Sequence, residues 1–476
     1  MTPARLAALL IAVLAALVTA PAATAGPPGK WTRITDYNSE EQESALARTP
    51  DGTLHVFWGG SGRGISEGFH RLVNSQINPD GTKPAGFGFA YAFDYPKAED
   101  GGAAHNNFAL VRSGQGLRAF FTGVYPNHPL NGVLATATSN DGVTWSDAVA
   151  VSASSNVYPA VGLGAAVLPN GTPITVWGDY EPGNAAYHFG LDPNEADVPF
   201  GEQDGVVSGP NVAIDAVTGQ AVLAWNDIEE GTVWAASLFS PNDPVPVPFA
   251  DAPDGTERVA LTGRIPGRAG SGISGGGVYL GYLRGTNVLL SRPAVWRVGS
   301  DSAMTLSSMK GARFMGVTAA PNGRIWAFWA RTSPSRRIYA TRSNTNATAF
   351  GPISTHSLPE GAFKIYSLEG EGSLGPLDLL ALVETSHDDE DLGNWHQQIR
   401  PRLKLDATVQ GRGAAFKVLD AGQPVNNAKV LVAGKSGFTD EKGRVTFRGL
   451  PEGTHRAKAK KSGYERAERN INVEGR

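Results

Sequence analysis

The sequence predicts an all-β protein in which short strands recur as a repeat, and three observations favour this fold. First, a short apolar run, a tight turn and a second apolar run ending in an aromatic residue return about every 45–60 residues. Second, three of these turns have the Pro-Asx-Gly form, at residues 50–52, 169–171 and 321–323, and glycine there accepts the positive φ of a hairpin. Third, glycine (59) and proline (32) are abundant, as tight turns favour. Together they predict a β-propeller, seven-bladed if every unit counts and six-bladed if a weak fifth unit is an insertion.

Each unit is interpreted as the inner strand pair of one blade, because continuous apolar runs are typical of strands buried on both faces. The second runs are Leu54–Trp58, Leu117–Phe121, Pro173–Trp177, Ala221–Trp225, Val278–Tyr282, Ile325–Trp329 and Leu377–Val383. The fifth unit is faint, since the glycine-rich run Gly270–Gly277 stands in place of its first strand. The last blade lacks an outer strand. We expect Trp31–Tyr37 to supply it, which closes the ring and removes an exposed sheet edge.

Composition narrows the class of protein. Residues 1–25 have the pattern of a secretory signal: Arg5, the apolar run Leu6–Val18 and the small-residue site Ala23-Thr24-Ala25. No later run is long enough to span a membrane, so we expect a secreted, extracellular protein. We also expect this protein to be a monomer. The 476 residues include no cysteine, which excludes disulfides, thiol catalysis and cysteine-bound zinc. With 41 basic and 45 acidic residues, the charge balance gives no indication of nucleic-acid binding.

One turn carries a specific motif. Ser139-Asn140-Asp141-Gly142-Val143-Thr144-Trp145 joins two predicted strands. It resembles the Asp-box, or BNR repeat, of sialidase-like β-propellers, which implies a hairpin between the outer strands of a blade. The stretch Ser343–Phe350 resembles a decayed copy. Propeller geometry places such a turn at the end of the blade away from the ligand-binding face, so a structural role is predicted for the motif.

The chain is predicted to divide at residue 404, into a propeller over residues 26–404 and a small β-sandwich over 405–476. Turns with fixed spacing mark the second part: Gly422-Gln423-Pro424-Val425, Thr439-Asp440, Leu450–Gly453 and Gly463-Tyr464. They resemble the carboxypeptidase regulatory-like, or transthyretin-like, β-sandwich, a module that is generally non-catalytic. From Asp406 onward there are 14 Lys or Arg and 8 Asp or Glu. This basic module could adhere to anionic cell-wall polymers, or it could be a solvated spacer.

Propeller geometry predicts where ligands bind. The inner strand of each blade starts at the central funnel, and the second strand ends there, so polar residues at those positions rim one concave site. Candidates for proton transfer are His105, Tyr158, Asp179, Asp227 and Glu384; candidates for substrate binding are Asn106, Tyr180, Asn226, Arg284 and Arg331. Lys364 and Tyr366 are two further polar residues at a strand start.

Carboxylates, His, Arg and Tyr in one funnel are typical of sugar chemistry. Carboxylates or a His act as acid and base, Arg pairs a sugar carboxylate in bidentate fashion, and aromatic rings stack on sugar faces. The competing interpretation is that a propeller rim is polar simply because it meets water. For His105 the competing interpretation is a hydrogen bond to a neighbouring blade, although His105-Asn106-Asn107 also resembles the strand start of propeller lyases and rhamnosidases.

The leading functional hypothesis is therefore a secreted carbohydrate-active protein, a glycoside hydrolase or polysaccharide lyase that cleaves or trims acidic glycans. The alternative is a lectin-like or structural propeller without catalysis. Sialidases combine three arginines with a Tyr–Glu nucleophile couple and an Asp that acts as the acid. Their first arginine lies in an Arg-Ile-Pro motif early in the chain. Here Arg264-Ile265-Pro266 comes late, so its match is interpreted as chance.

No cofactor or metal is predicted. The acidic stretch His387–Asp391 with His396 could hold calcium, since oxygen-rich loops suit that ion. Its spacing fits no defined calcium loop, and a solvated acidic loop is the simpler interpretation.

Overall fold

The computed structural model describes residues 29–34, 41–60, 69–84, 90–96, 108–121, 133–152, 162–178, 185–201, 207–227, 231–248, 259–266, 276–285, 290–331, 336–385 and 392–475. All regular secondary structure in these ranges consists of β-strands. Within these described ranges, the strands form nine four-stranded sheets. The all-β prediction is therefore confirmed.

In the described residues, six sheets are antiparallel meanders of consecutive strands, and a seventh joins three consecutive strands to the N-terminal strand. Their strands are β1 (Thr32–Arg33), β2 (Glu41–Arg48), β3 (Leu54–Gly60), β4 (Phe69–Ile77), β5 (Ala90–Pro96), β6 (Phe108–Ser113), β7 (Gly116–Phe121), β8 (Ala135–Ser139), β9 (Val149–Ala150), β10 (Leu163–Val167), β11 (Pro173–Trp177), β12 (Ala186–Phe189), β13 (Val198–Pro199), β14 (Val207–Ile214), β15 (Ala221–Asp227), β16 (Thr232–Ser237), β17 (Ser240–Pro246), β18 (Ala260–Thr262), β19 (Tyr279–Arg284), β20 (Arg292–Arg297), β21 (Ala303–Thr305), β22 (Ala312–Ala320), β23 (Arg324–Arg331), β24 (Arg337–Arg342), β25 (Ser354–Ser357), β26 (Lys364–Glu371), β27 (Leu377–Glu384) and β28 (Leu392–Ile399).

The inner strands of these sheets meet around a closed ring. Strands β2, β6, β10, β14, β18, β22 and β26 each contact the inner strand of the next sheet, and β26 contacts β2. This is the architecture of a propeller, which confirms the predicted fold. Seven sheets in the described residues favour seven blades, and the blade number itself stays a prediction. We call the two ends of the ring the funnel end, where inner strands start, and the turn end.

The ring closes through the N-terminal strand, as the sequence predicts. Strand β1 pairs with β28, with Thr32 opposite His396 and Arg33 opposite Trp395. The seventh sheet therefore contains the first and the last strands of the propeller. Ile34, which follows β1, is fully buried and packs with core residues of the first sheet.

A buried ionic cluster links the first sheet to the last at the turn end. The Arg48 guanidinium lies 2.5 Å from Glu371 Oε2 and 2.5 Å from Asp378 Oδ2. Asp378 also accepts from Gln398 and lies 3.0 Å from His396 Nε2. Removing one member of such a buried set leaves an uncompensated charge, at a cost of about 3–5 kcal/mol. The cluster therefore fixes which sheets meet where the ring closes.

The fifth sheet corrects one sequence expectation. Its inner strand is β18, which precedes the glycine-rich run instead of coinciding with it. Leu261 packs into the core between the fourth and fifth sheets with Val278 and Leu280. Most of Gly270–Gly277 lies outside the described residues. Gly276 and Gly277 are described, and a Cβ on Gly276 would lie 1.7 Å from the Thr218 side chain, so glycine serves close packing there.

The last two sheets form a sandwich. One contains β29 (Lys404–Gln410), β30 (Gly413–Asp420), β31 (Gln423–Pro424) and β34 (Arg444–Arg448), and the other contains β32 (Lys429–Val432), β33 (Lys435–Phe438), β35 (Gly453–Lys460) and β36 (Ala467–Val473). Their inner faces share one core, which includes Phe416, Val418 and Val430. Alternating apolar and polar residues along β35 and β36 place one face in that core and one in solvent.

Candidate functional site

The funnel end gathers the predicted strand-end residues. Asp227, Arg284, Arg331 and Glu384 are the last residues of β15, β19, β23 and β27, the second strands of four consecutive sheets. Because each second strand ends where its inner strand starts, the four residues lie at one end of the ring. Five other predicted site residues lie outside the described residues: His105, Asn106, Tyr158, Asp179 and Tyr180.

Glu384 is held by its own sheet in a three-residue cluster. Its Oε2 accepts a hydrogen bond from the Tyr366 hydroxyl at 2.9 Å. The Lys364 ammonium donates to the same hydroxyl at 2.6 Å and lies 4.1 Å from the Tyr366 ring centroid. Glu384 is 3% exposed, whereas Lys364 is exposed and Tyr366 half-buried. We call these residues the Lys–Tyr–Glu cluster.

A β-bulge builds this cluster. Lys364 pairs with Glu384 and Ile365 with Val383, but the next partner of Leu382 is Ser367. Tyr366 is the extra residue, so its side chain leaves the alternation of the strand and turns toward Glu384. Bulges often re-aim a side chain next to a functional site. The repeat predicts Lys364 and Tyr366 at a strand start and Glu384 at a strand end. Their contact is not predictable, because a bulge leaves no pattern in the residue types.

The cluster is arranged for proton transfer. The Tyr366 oxygen accepts from a cation and donates to a carboxylate at the same time. If its proton moves to Glu384, the resulting phenolate keeps the Lys364 ammonium beside it. The three groups can therefore supply a base, an activated oxygen nucleophile or an acid.

Asp227 forms a second polar point on the funnel end. Asp227 and Asn226 are 4% and 5% exposed, and they pair with Val207 and Ser208 of the inner strand β14. A β-bulge between Ser208 and Asn211 interrupts the pairing of β14 near the funnel end, as the bulge at Tyr366 does in β26. Two sheets separate Asp227 from Glu384 along the ring. Joint action of the two carboxylates on one bond remains a prediction.

Arg284 and Arg331, the two arginines predicted to bind a sugar carboxylate, both form hydrogen bonds within the protein. Arg284 Nη1 donates to Thr305 Oγ1 at 3.3 Å. Arg331 Nε donates to the Lys310 carbonyl at 2.7 Å, which ties the segment before β22 to the end of β23. Both side chains remain half-buried at the funnel end. Their role as a substrate clamp stays a prediction.

A cavity of about 200 Å³ lies between the inner strands β14, β18, β22 and β26. Phe314, Thr318, Thr262 and Glu369 are among the residues that line it. Phe314 belongs to the bulge of β22 and has φ of 52°, an outlier for a bulky side chain that requires strong support from its surroundings. The sequence did not predict these residues as part of a site, because strand register decides which side chains line the cavity.

The 139–145 turn lies away from this site. Asp141 Oδ1 accepts from the backbone N–H groups of Val143 and Thr144. Trp145 folds back over the turn and donates to the Gly142 carbonyl at 3.1 Å. The turn also reaches the first sheet, where Asn74 Nδ2 donates to the Gly142 carbonyl. It therefore fastens two neighbouring sheets at the turn end.

Arg264 is also far from the funnel end. It follows β18, is 1% exposed, and its Nε lies 3.6 Å from Asp215 Oδ1 in the turn after β14. Asp215 also accepts from the backbone N–H groups of Arg264 and Gly277. The late Arg-Ile-Pro therefore joins the fourth and fifth sheets at the turn end, in agreement with its interpretation as a chance match.

The calcium alternative receives no support from the described ranges, which contain no group of three or more His, Cys, Asp or Glu placed to hold a metal ion. His396 is buried and bonded to Asp378 in the closing cluster. The acidic residues 387–391 lie outside those ranges.

Among known proteins, the carboxypeptidase regulatory-like domain matches residues 417–476. This agrees with the resemblance seen in the sequence. No curated protein matches the chain. No helix in the described part of the chain is long and apolar enough to cross a membrane.

Solved structures of glycoside hydrolases and of a lectin show a weak similarity to this chain. A GH93 α-L-arabinofuranosidase of Fusarium graminearum, solved with arabinobiose, has 12% identity and a TM-score of 0.43; the match covers 79% of this chain and 98% of that one. A Hadza microbial sialidase has 13% identity and a TM-score of 0.37, over 61% of this chain and 63% of that one. The Aleuria aurantia lectin, solved with a fucosylated sugar, has 12% identity and a TM-score of 0.37, over 69% and 100%.

Proposed function

We propose that this protein is an exported carbohydrate-active propeller that cleaves acidic glycans at its funnel end. The observation that carries the proposal is the Lys–Tyr–Glu cluster, in which a buried carboxylate accepts from a tyrosine that a lysine also contacts. A buried carboxylate that accepts a hydrogen bond from a half-exposed phenol is placed to take the phenol proton, as an activated nucleophile requires. The cluster therefore favours chemistry over binding alone.

In the proposed reaction, the Tyr366 oxygen attacks the anomeric carbon while its proton passes to Glu384. Lys364 stabilises the negative charge that develops on the phenol oxygen. The departing sugar oxygen takes a proton from an acid on another sheet, for which Asp227, His105, Asp179 and Tyr158 are the candidates. Water then attacks the anomeric carbon and gives one proton to the residue that acted as the acid, which restores that acid. The bond between the sugar and the Tyr366 oxygen breaks, and Tyr366 recovers its proton from Glu384.

The preference for acidic glycans rests on the cations at the funnel end. Arg284, Arg331 and Lys364 belong to the fifth, sixth and seventh sheets, which are consecutive in the ring. Guanidinium and ammonium groups are the usual partners of sugar carboxylates. Asn106, Tyr180 and Asn226 complete the proposed binding set. The proposal includes a secreted monomer that needs no cofactor and contacts cell-wall polymers through its basic C-terminal module.

The test is turnover of sialosides, uronic-acid polysaccharides and arabinan by the protein without its first 25 residues. We expect Tyr366→Phe and Glu384→Gln each to lower kcat about 10²–10⁴-fold, the usual contribution of a nucleophile or general base. Glu195→Gln is the matched control, since Glu195 is exposed in the loop between β12 and β13, at the turn end. It should leave kcat unchanged.

Two outcomes contradict the enzymatic proposal. Unchanged turnover in both cluster variants would move the chemistry to other residues. Absence of turnover with retained glycan binding, abolished by Tyr366→Phe, would instead make the protein a lectin.

A further inference from the structure

The solvent-facing side of the second C-terminal sheet is unusually cationic. The strand order of this sheet is β33, β32, β35 and β36. The side chains that face away from the core include Phe438 on β33, Lys429 on β32, and Arg456, Lys458 and Lys460 on β35. Their strand neighbours Val430, Ala457 and Ala459 face the core. We call this surface the outer cationic face.

A row of three residues crosses the face. Phe438 lies opposite Lys429, and Lys429 lies opposite Lys460 on the next strand. Phe438 is 61% exposed, and both lysines are exposed. Like charges directly opposite each other in a sheet destabilise it. A ligand that brings negative charge between the two lysines would remove that cost.

Acidic residues do little to neutralise the face. Glu468 of β36 lies near Arg456, Lys458 and Arg466, so one carboxylate serves three cations. Arg456 and Arg466 remain 62% exposed despite these contacts. Exposed ion pairs of this kind are weak and leave the cations available to a competing anion.

The outer cationic face also has a fixed position. The C-terminal domain docks on the sixth sheet through Asp420, which lies 2.6 Å from Arg342 and 3.2 Å from Arg324. Arg324 starts the strand after the turn at residues 321–323, which belongs to the turn end of the propeller. A polymer held on the outer cationic face is therefore anchored away from the funnel end, and the funnel end remains open to other parts of the same polymer.

We propose that the outer cationic face is a docking site for a carboxylated polysaccharide, with Lys429 and Lys460 pairing sugar carboxylates and Phe438 stacking on a sugar ring. The exposed ring decides between polyanions, because a phosphate polymer without sugar rings offers no flat partner for an aromatic face. The choice of a glycan rests on the proposed function, but the binding site does not depend on catalysis. Two attachment points on one chain raise the local substrate concentration at the funnel end.

The test is binding of full-length protein to immobilised polygalacturonate, with neutral arabinan and polyphosphate as comparison polymers. We expect Lys429→Gln/Lys460→Gln to weaken polygalacturonate binding roughly 10- to 30-fold, since each cation near an anionic surface contributes about 1 kcal/mol. Phe438→Ala should weaken binding without changing its salt dependence. The matched control Lys442→Gln/Arg444→Gln removes the same charge away from this face, and it should change binding by less than about threefold.

Equal losses in the two double variants would overturn the proposal, because net charge alone would then explain binding. Polyphosphate binding as tight as polygalacturonate binding, with no effect of Phe438→Ala, would overturn the choice of a polysaccharide. Glu384→Gln separates the two proposals: loss of turnover with normal binding supports both, and absence of turnover in the parent protein leaves the docking result unaffected.

Discussion

His55 shows how burial sets the behaviour of one residue. It lies on β3 beneath the 139–145 turn, is 2% exposed, and approaches Thr49 Oγ1 through Nε2 at 3.3 Å. Desolvation lowers the pKa of His55 to about 4, despite nearby Asp51 and Asp141. The ring is therefore neutral in the folded protein across the range where an unfolded histidine gains a proton.

This pKa predicts a loss of stability in acid. Because the folded pKa lies below the unfolded value of 6.5, the stabilising effect is complete above pH 6.5 and is lost as pH falls toward 4, at a cost of about 3 kcal/mol. We expect the free energy of unfolding of the His55→Gln variant to depend less on pH in this interval, as urea titrations at pH 7.5 and 4.5 would show. His455→Gln on the C-terminal domain is the control. Identical pH dependence in the parent and His55→Gln proteins would contradict the assignment.

The candidate site was accessible to sequence reasoning only at the level of single residues. Glu384, Tyr366 and Lys364 could be placed at the funnel end, because strand starts and strand ends follow from the repeat. Their mutual contact could not be predicted, since it depends on the bulge at Tyr366. Likewise, the partners of Arg331 and Arg284 depend on segments that come next to them only in the folded chain.

Among the strands of the propeller, the second strands were well predicted, because apolar runs mark all of them and a Pro-Asx-Gly turn precedes three of them. The inner strand β18 was not predicted, since only three residues form it. The repeat instead places the first half of the fifth unit in the glycine-rich run that follows β18. Closure by the N-terminal strand was predictable from physical need alone. An unpaired edge on the last sheet requires a partner, and β1 supplies it.

The 139–145 turn allows a test of the contact between the first and second sheets. Gly142 has φ of 74°, and a Cβ there would lie 2.3 Å from His55 Nδ1 and 2.8 Å from Asn74 Nδ2. Gly171, in the turn between β10 and β11, has φ of 90° and open space around it. We expect Gly171→Ala to cost about 1 kcal/mol from backbone strain alone. Gly142→Ala should cost roughly 2–4 kcal/mol, because overpacking between sheets adds to that strain.

Urea midpoints of the two glycine variants would measure the difference. The comparison isolates the contact between the first and second sheets, since both substitutions add one methyl group at a positive φ. Equal midpoints would mean that His55 and Asn74 move aside freely, and the turn would then not fasten the two sheets.

At the scale of the whole molecule, the C-terminal domain is joined to the propeller by more than its linker. Asp420 is 3% exposed and also accepts from the Tyr464 hydroxyl at 3.1 Å. The Arg342 guanidinium lies over the Trp326 and Tyr464 rings, at 5.8 and 5.6 Å from their centroids. Gln423 bonds Arg324 and Thr345. The decayed motif around Ser343 thus serves as a docking point, which its sequence alone did not indicate.

Asp420 should therefore decide whether the two domains behave as one body. Asp420→Asn leaves the Arg324 and Arg342 side chains, which are 13% and 10% exposed, without their shared carboxylate, at a cost of about 3–5 kcal/mol to the interface. We expect thermal unfolding to separate into two transitions and residues 401–403 to become more sensitive to protease. Asp406→Asn, which removes only exposed ion pairs with Lys404 and Arg469, is the matched control. A single unchanged transition and unchanged protease resistance in Asp420→Asn would show that the aromatic contacts of Arg342 and the bonds of Gln423 suffice to hold the domain in place.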